Sequence, residues 1–259
     1  MNYGLYLSAA GLQAQQVRQN VISNNMANAQ TPGFKRDLMV MRARANAAIE
    51  DPRMAAYREP ILQDQGGGVF ASGNGVDLSQ AMLEKTGNAT DMALDGRGFF
   101  TVRGENGAKL LTRDGRFLLN QDGQLVTANG GRAVLDAAGQ PITLQPTLPV
   151  HVDQSGLITQ GNTAAGGGDG LKLGIVDVKD SRQLIKLGGN LMQVKDPTAM
   201  AAAGSETRVK QGEIETSGVE PMTEMVALME GQRAFEANAK MISYQDQTMS
   251  QLNTIGRVV

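Results

Sequence analysis

A chain of 259 residues predicts one or two domains and enough material for a sizeable core. Lys and Arg total 24 against 26 Asp and Glu, a formal charge of −2, so there is no strong positive field to hold nucleic acid or anionic lipid. One histidine and no cysteine exclude zinc, iron–sulfur and disulfide frameworks and any Cys nucleophile. Glycine, at 32 residues, exceeds the usual share of roughly 7%, and Trp is absent, so the chain turns often and has few large anchors. No apolar run approaches the ~20 residues of a membrane-spanning helix, and Arg18 is the first basic residue. Neither membrane insertion nor a cleavable secretory signal is expected.

At the start of the chain, Tyr3, Leu7, Ala10, Ala14, Val17, Val21, Asn24 and Asn28 recur at alternating steps of four and three. That spacing predicts one stripe of an N-terminal helix about 25 residues long, with Leu5, Leu12, Ile22 and Met26 on the opposite face. Asn24 and Asn28 continue the stripe as amides, where burial sets register at some cost in stability. Thr31-Pro32-Gly33 stops the helix, because Pro cannot continue the hydrogen-bond ladder and Gly permits the turn. The N-terminal helix and turn are assigned to residues 1–35, and an extended linker to 36–75, with Gly66-Gly67-Gly68 as a flexible loop.

Residues 76–205 read as a central all-β domain. Turn pairs at Asn74-Gly75, Asp95-Gly96, Asn106-Gly107, Asp114-Gly115, Asp122-Gly123, Asn129-Gly130 and Asp169-Gly170 accept the positive φ of tight hairpins. Between them, residues 98–102, 117–119, 124–127 and 174–178 read as strands, and Gly166-Gly167-Gly168 as a second flexible loop. A return linker, 206–220, leads to a C-terminal helix, 221–259, whose first turn suits Pro221. Its stripe is Met225, Leu228, Gln232, Phe235, Ala239, Ile242, Asp246 and Met249, widened by Met222, Val226 and Met229. The resulting fold is α+β: discontinuous N- and C-terminal helices forming a coiled coil, with the β domain between them and neighbouring subunits over the second apolar face. Periodicity alone leaves open a monomer in which both helices pack on one sheet.

Candidate chemistry is sparse. His151 lies in the alternating stretch Pro149-Val150-His151-Val152-Asp153 with no nucleophile signature nearby, so a strand histidine is expected rather than a general base. Asn120 and Asp122-Gly123 form only a fragment of a calcium loop, since 128–132 lacks the closing carboxylate; Asp136 and Asp153 likewise read as turn residues. Asp95-Gly96-Arg97-Gly98 lacks the third glycine of a dinucleotide site, and no phosphate-binding GxxxxGK[ST] loop occurs. A carbohydrate-active β domain would rely on paired carboxylates such as Asp91 and Asp95, and a carbohydrate-binding adhesin would need an exposed recognition face. The favoured expectation is no catalytic, cofactor or metal site.

The segment Asn24-Asn25-Met26-Ala27-Asn28 with Thr31-Pro32-Gly33-Phe34-Lys35 resembles the N-terminal signature of bacterial flagellar rod and hook proteins. Further similar segments are Asp91-Met92-Ala93-Leu94-Asp95-Gly96-Arg97-Gly98-Phe99-Phe100, Thr112-Arg113-Asp114-Gly115-Arg116-Phe117 with 123–127, and Glu215-Thr216-Ser217-Gly218-Val219. Gln232-Arg233-Ala234-Phe235-Glu236 completes the order. Two departures are Gly218, where an asparagine is usual, and Leu111, where a tyrosine commonly precedes Thr-Arg. The resemblance implies a non-enzymatic axial subunit of the basal-body rod, passed through the flagellar type III export apparatus and polymerised helically. It further implies terminal helices lining the inner tube, an outward β domain, and contacts with itself, other rod proteins and the surrounding rings, in the periplasm. A single β insertion, with Asn2-Tyr3-Gly4-Leu5-Tyr6 and Thr86-Gly87-Asn88, looks most like the proximal rod type; a distal rod or hook subunit is the alternative.

Overall fold

The computed structural model describes residues 2–43, 68–161, 171–204 and 206–255. Two long helices, α1 (Asn2–Ala27) and α2 (Pro221–Ile255), flank seventeen strands among the described residues. These are β1 (Asp37–Ala43), β2 (Val69–Val76), β3 (Leu83–Lys85), β4 (Met92–Asp95), β5 (Phe99–Arg103), β6 (Lys109–Thr112), β7 (Phe117–Leu119), β8 (Leu125–Thr127) and β9 (Val150–Val152). They continue as β10 (Leu157–Gln160), β11 (Leu171–Lys172), β12 (Ile175–Val178), β13 (Leu184–Gly188), β14 (Leu191–Val194), β15 (Met200–Ala202), β16 (Arg208–Gln211) and β17 (Glu213–Glu215). The chain divides into a helical unit, 1–26 with 37–74 and 221–259, and a β unit, 27–36 with 75–220.

In the helical unit, α1 and α2 run antiparallel. A Cβ placed on Gly4 would meet Gln245 Nε2 at 2.7 Å, one on Gly11 would meet Asn238 Nδ2 at 3.3 Å, and one on Gly231 would lie 3.7 Å from Gln19. Arg18 and Glu230 face each other at 3.9 Å, an exposed pair worth little on its own. Glycines thus let each helix receive a polar side chain from the other. The expected stripe on α2 lies largely outside the contact with α1. Leu228 and Ile242 are half-buried, but Met225, Gln232, Phe235, Ala239, Asp246 and Met249 are exposed. Glu224, Gly231, Asn238 and Gln245, one residue earlier in each heptad, take the inner positions. Hydropathy selects the apolar residues, whereas close helix approach selects the small ones.

On α1, Ala14 and Val21 are buried and Leu7, Ala10 and Val17 half-buried, as is Asn28 in the turn that follows. Ile22, expected on the opposite face, is buried too. Asn24 is exposed, and the buried amide is its neighbour Asn25, only 1% accessible. Asn25 Nδ2 donates to Asp37 O at 3.0 Å while Asp37 N donates to Asn25 Oδ1 at 2.9 Å, so one side-chain amide satisfies both backbone groups where β1 begins. The 36–75 stretch, expected as a linker, holds paired strands: β1 and β2 form a two-stranded sheet.

The β unit centres on a six-stranded antiparallel sheet of order β13-β14-β6-β5-β12-β15. Its central strands are buried on both faces. Phe100, Val102, Leu110 and Leu191 enter a core with Met92, Phe117 and Leu125, while Phe99, Leu111, Met192 and Val194 enter a second core with Val76 and Val178. That is why 99–102 reads as a near-continuous apolar run rather than an alternating one. Phe100 and Phe117 meet edge to face, centroids 5.2 Å apart at 86°. Smaller sheets, β11-β10-β9, β16-β4, β17-β3 and β7-β8, surround this layer. The expected strands at 98–102, 117–119, 124–127 and 174–178 appear as β5, β7, β8 and β12 within a residue at each end. The expected 206–220 return linker contains β16 and β17.

Turn chemistry follows the glycine pairs with two exceptions. Gly96, Gly107, Gly123 and Gly130 have positive φ, but Gly75 lies inside β2 and Gly115 has none. Gly115 is required for a different reason: a Cβ there would lie 1.6 Å from Met92 O. The Asp169-Gly170 turn and the loops at 66–67 and 166–168 lie outside the described residues.

Candidate functional site

Where the chain leaves α1, Thr31 N donates to Asn28 O and Phe34 N to Thr31 O, two successive tight turns. Gly33 adopts φ +70°, and a Cβ on it would stand 2.4 Å from Asp114 N, so only glycine fits. Phe34 is buried beneath Lys186, whose ammonium sits 4.0 Å from the ring centroid.

Lys35 follows, and it is buried. Its ammonium donates to Glu215 Oε1 and to Ser79 O, each at 2.7 Å. Glu215 is 1% accessible, accepts Ala81 N at 3.0 Å on the same oxygen, and on its other oxygen takes the Arg113 Nε donor. Arg113, also buried, spends its remaining donors on carbonyls: Gly98 O, Leu94 O at 2.8 Å and Gly96 O at 2.6 Å. One carboxylate is thus shared by two buried cations. Burial pushes the Lys35 ammonium below its ordinary value and Arg113 adds to the fall, with Glu215 opposing.

The backbone closes the same cluster. Gly33 N donates to Glu215 O at 2.8 Å, Gly218 N to Phe34 O at 2.8 Å, and Ser217 Oγ to Asn28 O at 2.9 Å. Residues 28–34 and 215–218 therefore lie side by side, although about 180 positions separate Lys35 from Glu215. Gly218, one of the two departures, leaves 3.3 Å between a hypothetical Cβ and Phe34 O. Asp114 binds Arg116 through both oxygens, at 3.0 and 2.7 Å, which raises the Arg116 guanidinium further.

Four sequence motifs that are far apart in the chain thus meet at one point. Gly33 and Phe34 from the first, Gly96 and Gly98 from the second, Arg113 from the third and Glu215 from the fourth share this cluster, while Phe99, next to Gly98, is buried in the second core. Ala27, Gln232, Arg233 and Glu236 are exposed, and Thr31 is half-buried in the turn. The charged residues Lys35, Arg113 and Glu215 lie inside these motifs. Their only local signal is an ionic side chain set among glycines and apolar residues, as in Leu110-Leu111-Thr112-Arg113.

The remaining candidates are occupied by local structure. Asp91 accepts from Thr86 Oγ1 at 2.7 Å and Asn88 Nδ2 at 3.0 Å; Asp95 pairs with Lys210 at 3.0 Å, a contact that lowers its carboxyl. Four residues apart along an extended chain, these acids stand about 13 Å from each other, beyond the ~5–9.5 Å that glycoside hydrolysis uses. His151 is exposed on β9. Asn120 Oδ1 accepts the amides of Asp122 and Gln124, and Asp153 Oδ1 those of Ser155 and Leu157, so these oxygens build turns.

Comparison with known proteins matches three segments in chain order. Residues 5–35 match the family described as flagella basal body rod protein, 93–160 the flagellar hook protein FlgE/F/G D1 domain, and 210–255 the flagellar basal body rod FlgEFG protein C-terminal family. The chain is similar to the flagellar basal-body rod protein FlgF of Caulobacter vibrioides, 34% identical over 244 residues covering 93% of both chains. It is also similar to the FlgG rod proteins of Buchnera aphidicola subsp. Baizongia pistaciae, 32% identical across 97% of this chain and 98% of that one, and of Bacillus subtilis, 29% identical across 98% of each. The motif cluster and these full-length matches agree: the chain belongs to the flagellar basal-body rod proteins of the FlgF and FlgG kind, a family of structural subunits rather than enzymes.

Proposed function

We propose that this chain is exported by the flagellar type III apparatus and polymerises helically into the axial drive shaft, at the proximal rod position in the periplasm. In this reading α1 and α2 pair as a coiled coil and supply the axial packing, and the β unit makes the lateral contacts. Neighbours are further copies and other rod proteins, with the surrounding rings outside them. The observation that carries the reading is the apolar surface left on α2. Met222, Met225, Val226, Met229, Phe235 and Met249 are all exposed, beside an inner seam built from glycine and amides. Exposed apolar surface of that extent on one helix marks a site for another chain. The FlgF relative, together with Thr86-Gly87-Asn88, favours the proximal position over the distal one.

Negative-stain imaging of concentrated protein tests polymerisation, with filaments or stacked rings expected. A folded monomer at every concentration, with both helices as protected from hydrogen exchange as the β core, would count against it. Complementation of proximal-rod and distal-rod deletion strains separates the two positions.

A further inference from the structure

We propose that Glu215 is a latch that closes the β unit's outgoing and returning chain passages in a single step, so that residues 27–36 stay undocked until β17 is in place. The inference does not depend on the rod reading. Lys35 and Arg113 are both buried, and the carboxylate they share comes from the last strand of the unit, 180 residues after one and 102 after the other. Until that strand docks, closing residues 33–36 over the body would bury two cations beside each other without the counter-ion they share. Asp77 acts on Lys35 only as a weaker, more distant charge. Removing one member of a buried pair leaves the other charge uncompensated, which is the costly arrangement.

The polar partners of the outgoing passage point the same way. Gly33 N, Phe34 O and Asn28 O are each satisfied by Glu215, Gly218 or Ser217. Arg113, held by Glu215, in turn ties down the carbonyls of Leu94, Gly96 and Gly98. By contrast, the β7–β8 hairpin and the β5–β6 pair are built from neighbours in sequence and need nothing from β17. An incomplete chain therefore forms hairpins but cannot close, and completion of the last strand completes the unit.

Hydrogen exchange resolved by segment on the full-length protein tests this. In the wild type, residues 28–36 and 213–218 are expected to open together, at one shared rate, faster than 99–112 and 117–127. Independent rates for the two passages would overturn the latch. Glu215→Gln keeps the shape and removes the charge; both passages should then exchange faster by on the order of 100-fold, with Phe117–Leu119 unchanged. Acceleration spread evenly over the unit, or none, would overturn it equally. Glu215→Asp, which keeps the charge but draws it back, should fall between the two. If Glu215→Gln fails to fold, the wild-type rates and the Glu215→Asp variant still decide the matter.

Discussion

The two units of this chain solve burial in opposite ways. In the β unit, apolar side chains fill both faces of the six-stranded sheet, and the charges that enter are paired three deep around Glu215. In the helical unit, glycines meet amide side chains where α1 and α2 approach most closely, and several large apolar residues of α2, Met225 and Phe235 among them, are exposed. A domain that keeps its hydrophobic surface inside is complete by itself; one that shows it is organised for a neighbour. The difference teaches that hydropathy alone does not mark what is buried within a single chain.

The largest expected effect lies in the β unit, where backbones meet. Gly115→Ala would place a Cβ 1.6 Å from Met92 O, so a loss above roughly 4 kcal/mol is expected. Chemical denaturation should find the β unit unfolded or barely folded. A near-normal midpoint would mean that the packing of this unit is looser than its geometry indicates.

The sharpest contrast pairs two phenylalanines. Phe100 is 0% accessible and Phe235 is 37% accessible. Phe100→Ala should lower the stability of the monomer by about 3–5 kcal/mol. Phe235→Ala should cost the monomer under ~1 kcal/mol, yet impair assembly and motility because every subunit repeats the defect. Equal monomer losses would erase the distinction between the units.

A smaller effect separates the ionic cluster from an apolar core. Unfolded Lys35 holds its proton up to about 10.5, whereas burial makes the folded group release it earlier. In the window just below 10.5 the unfolded chain binds more protons, so this residue makes stability rise with pH, and the contribution fades as pH falls through the lowered value. Thermal unfolding of wild type and Lys35→Met across that window should therefore give a shallower alkaline rise in the variant. Parallel curves would remove Lys35 from the account.

Smallest is Gly11→Ala in the helical unit. The new methyl would lie 3.3 Å from Asn238 Nδ2, the movable end of a side chain, while the helix gains up to ~1 kcal/mol of propensity. A slight rise in helicity of the isolated protein is expected by circular dichroism. A marked fall would show that the seam tolerates no methyl and is tighter than the β unit's own edges. Gln121→Ala, on an exposed turn residue, serves as the neutral reference.

Much of the fold was legible because it is local. The helix stop at Thr31-Pro32-Gly33, the start at Pro221 and the hairpins around Gly107, Gly123 and Gly130 each follow from residues within a few positions of one another. Strands β5, β7, β8 and β12 were marked by apolar runs between turn pairs. Elsewhere distant residues decide. Asn24 and Asn25 are adjacent amides on one helix, and only the position of Asp37 makes Asn25 the buried one. Met225 outranks Glu224 in hydropathy, yet the close approach at Gly4, Gly11 and Gly231 turns α2 so that the earlier position faces inward.

By itself, then, the sequence determined the order of helix, strands and helix, the turns between them, and the family to which the motifs point, since each depends on short-range stereochemistry or on pattern. Tertiary structure decided why the motifs are charged where they are. A buried Lys35 or Arg113 is unfavourable alone and becomes acceptable only when Glu215, from the far end of the chain, supplies the compensating charge. Periodicity carries no record of a partner that lies 180 residues away.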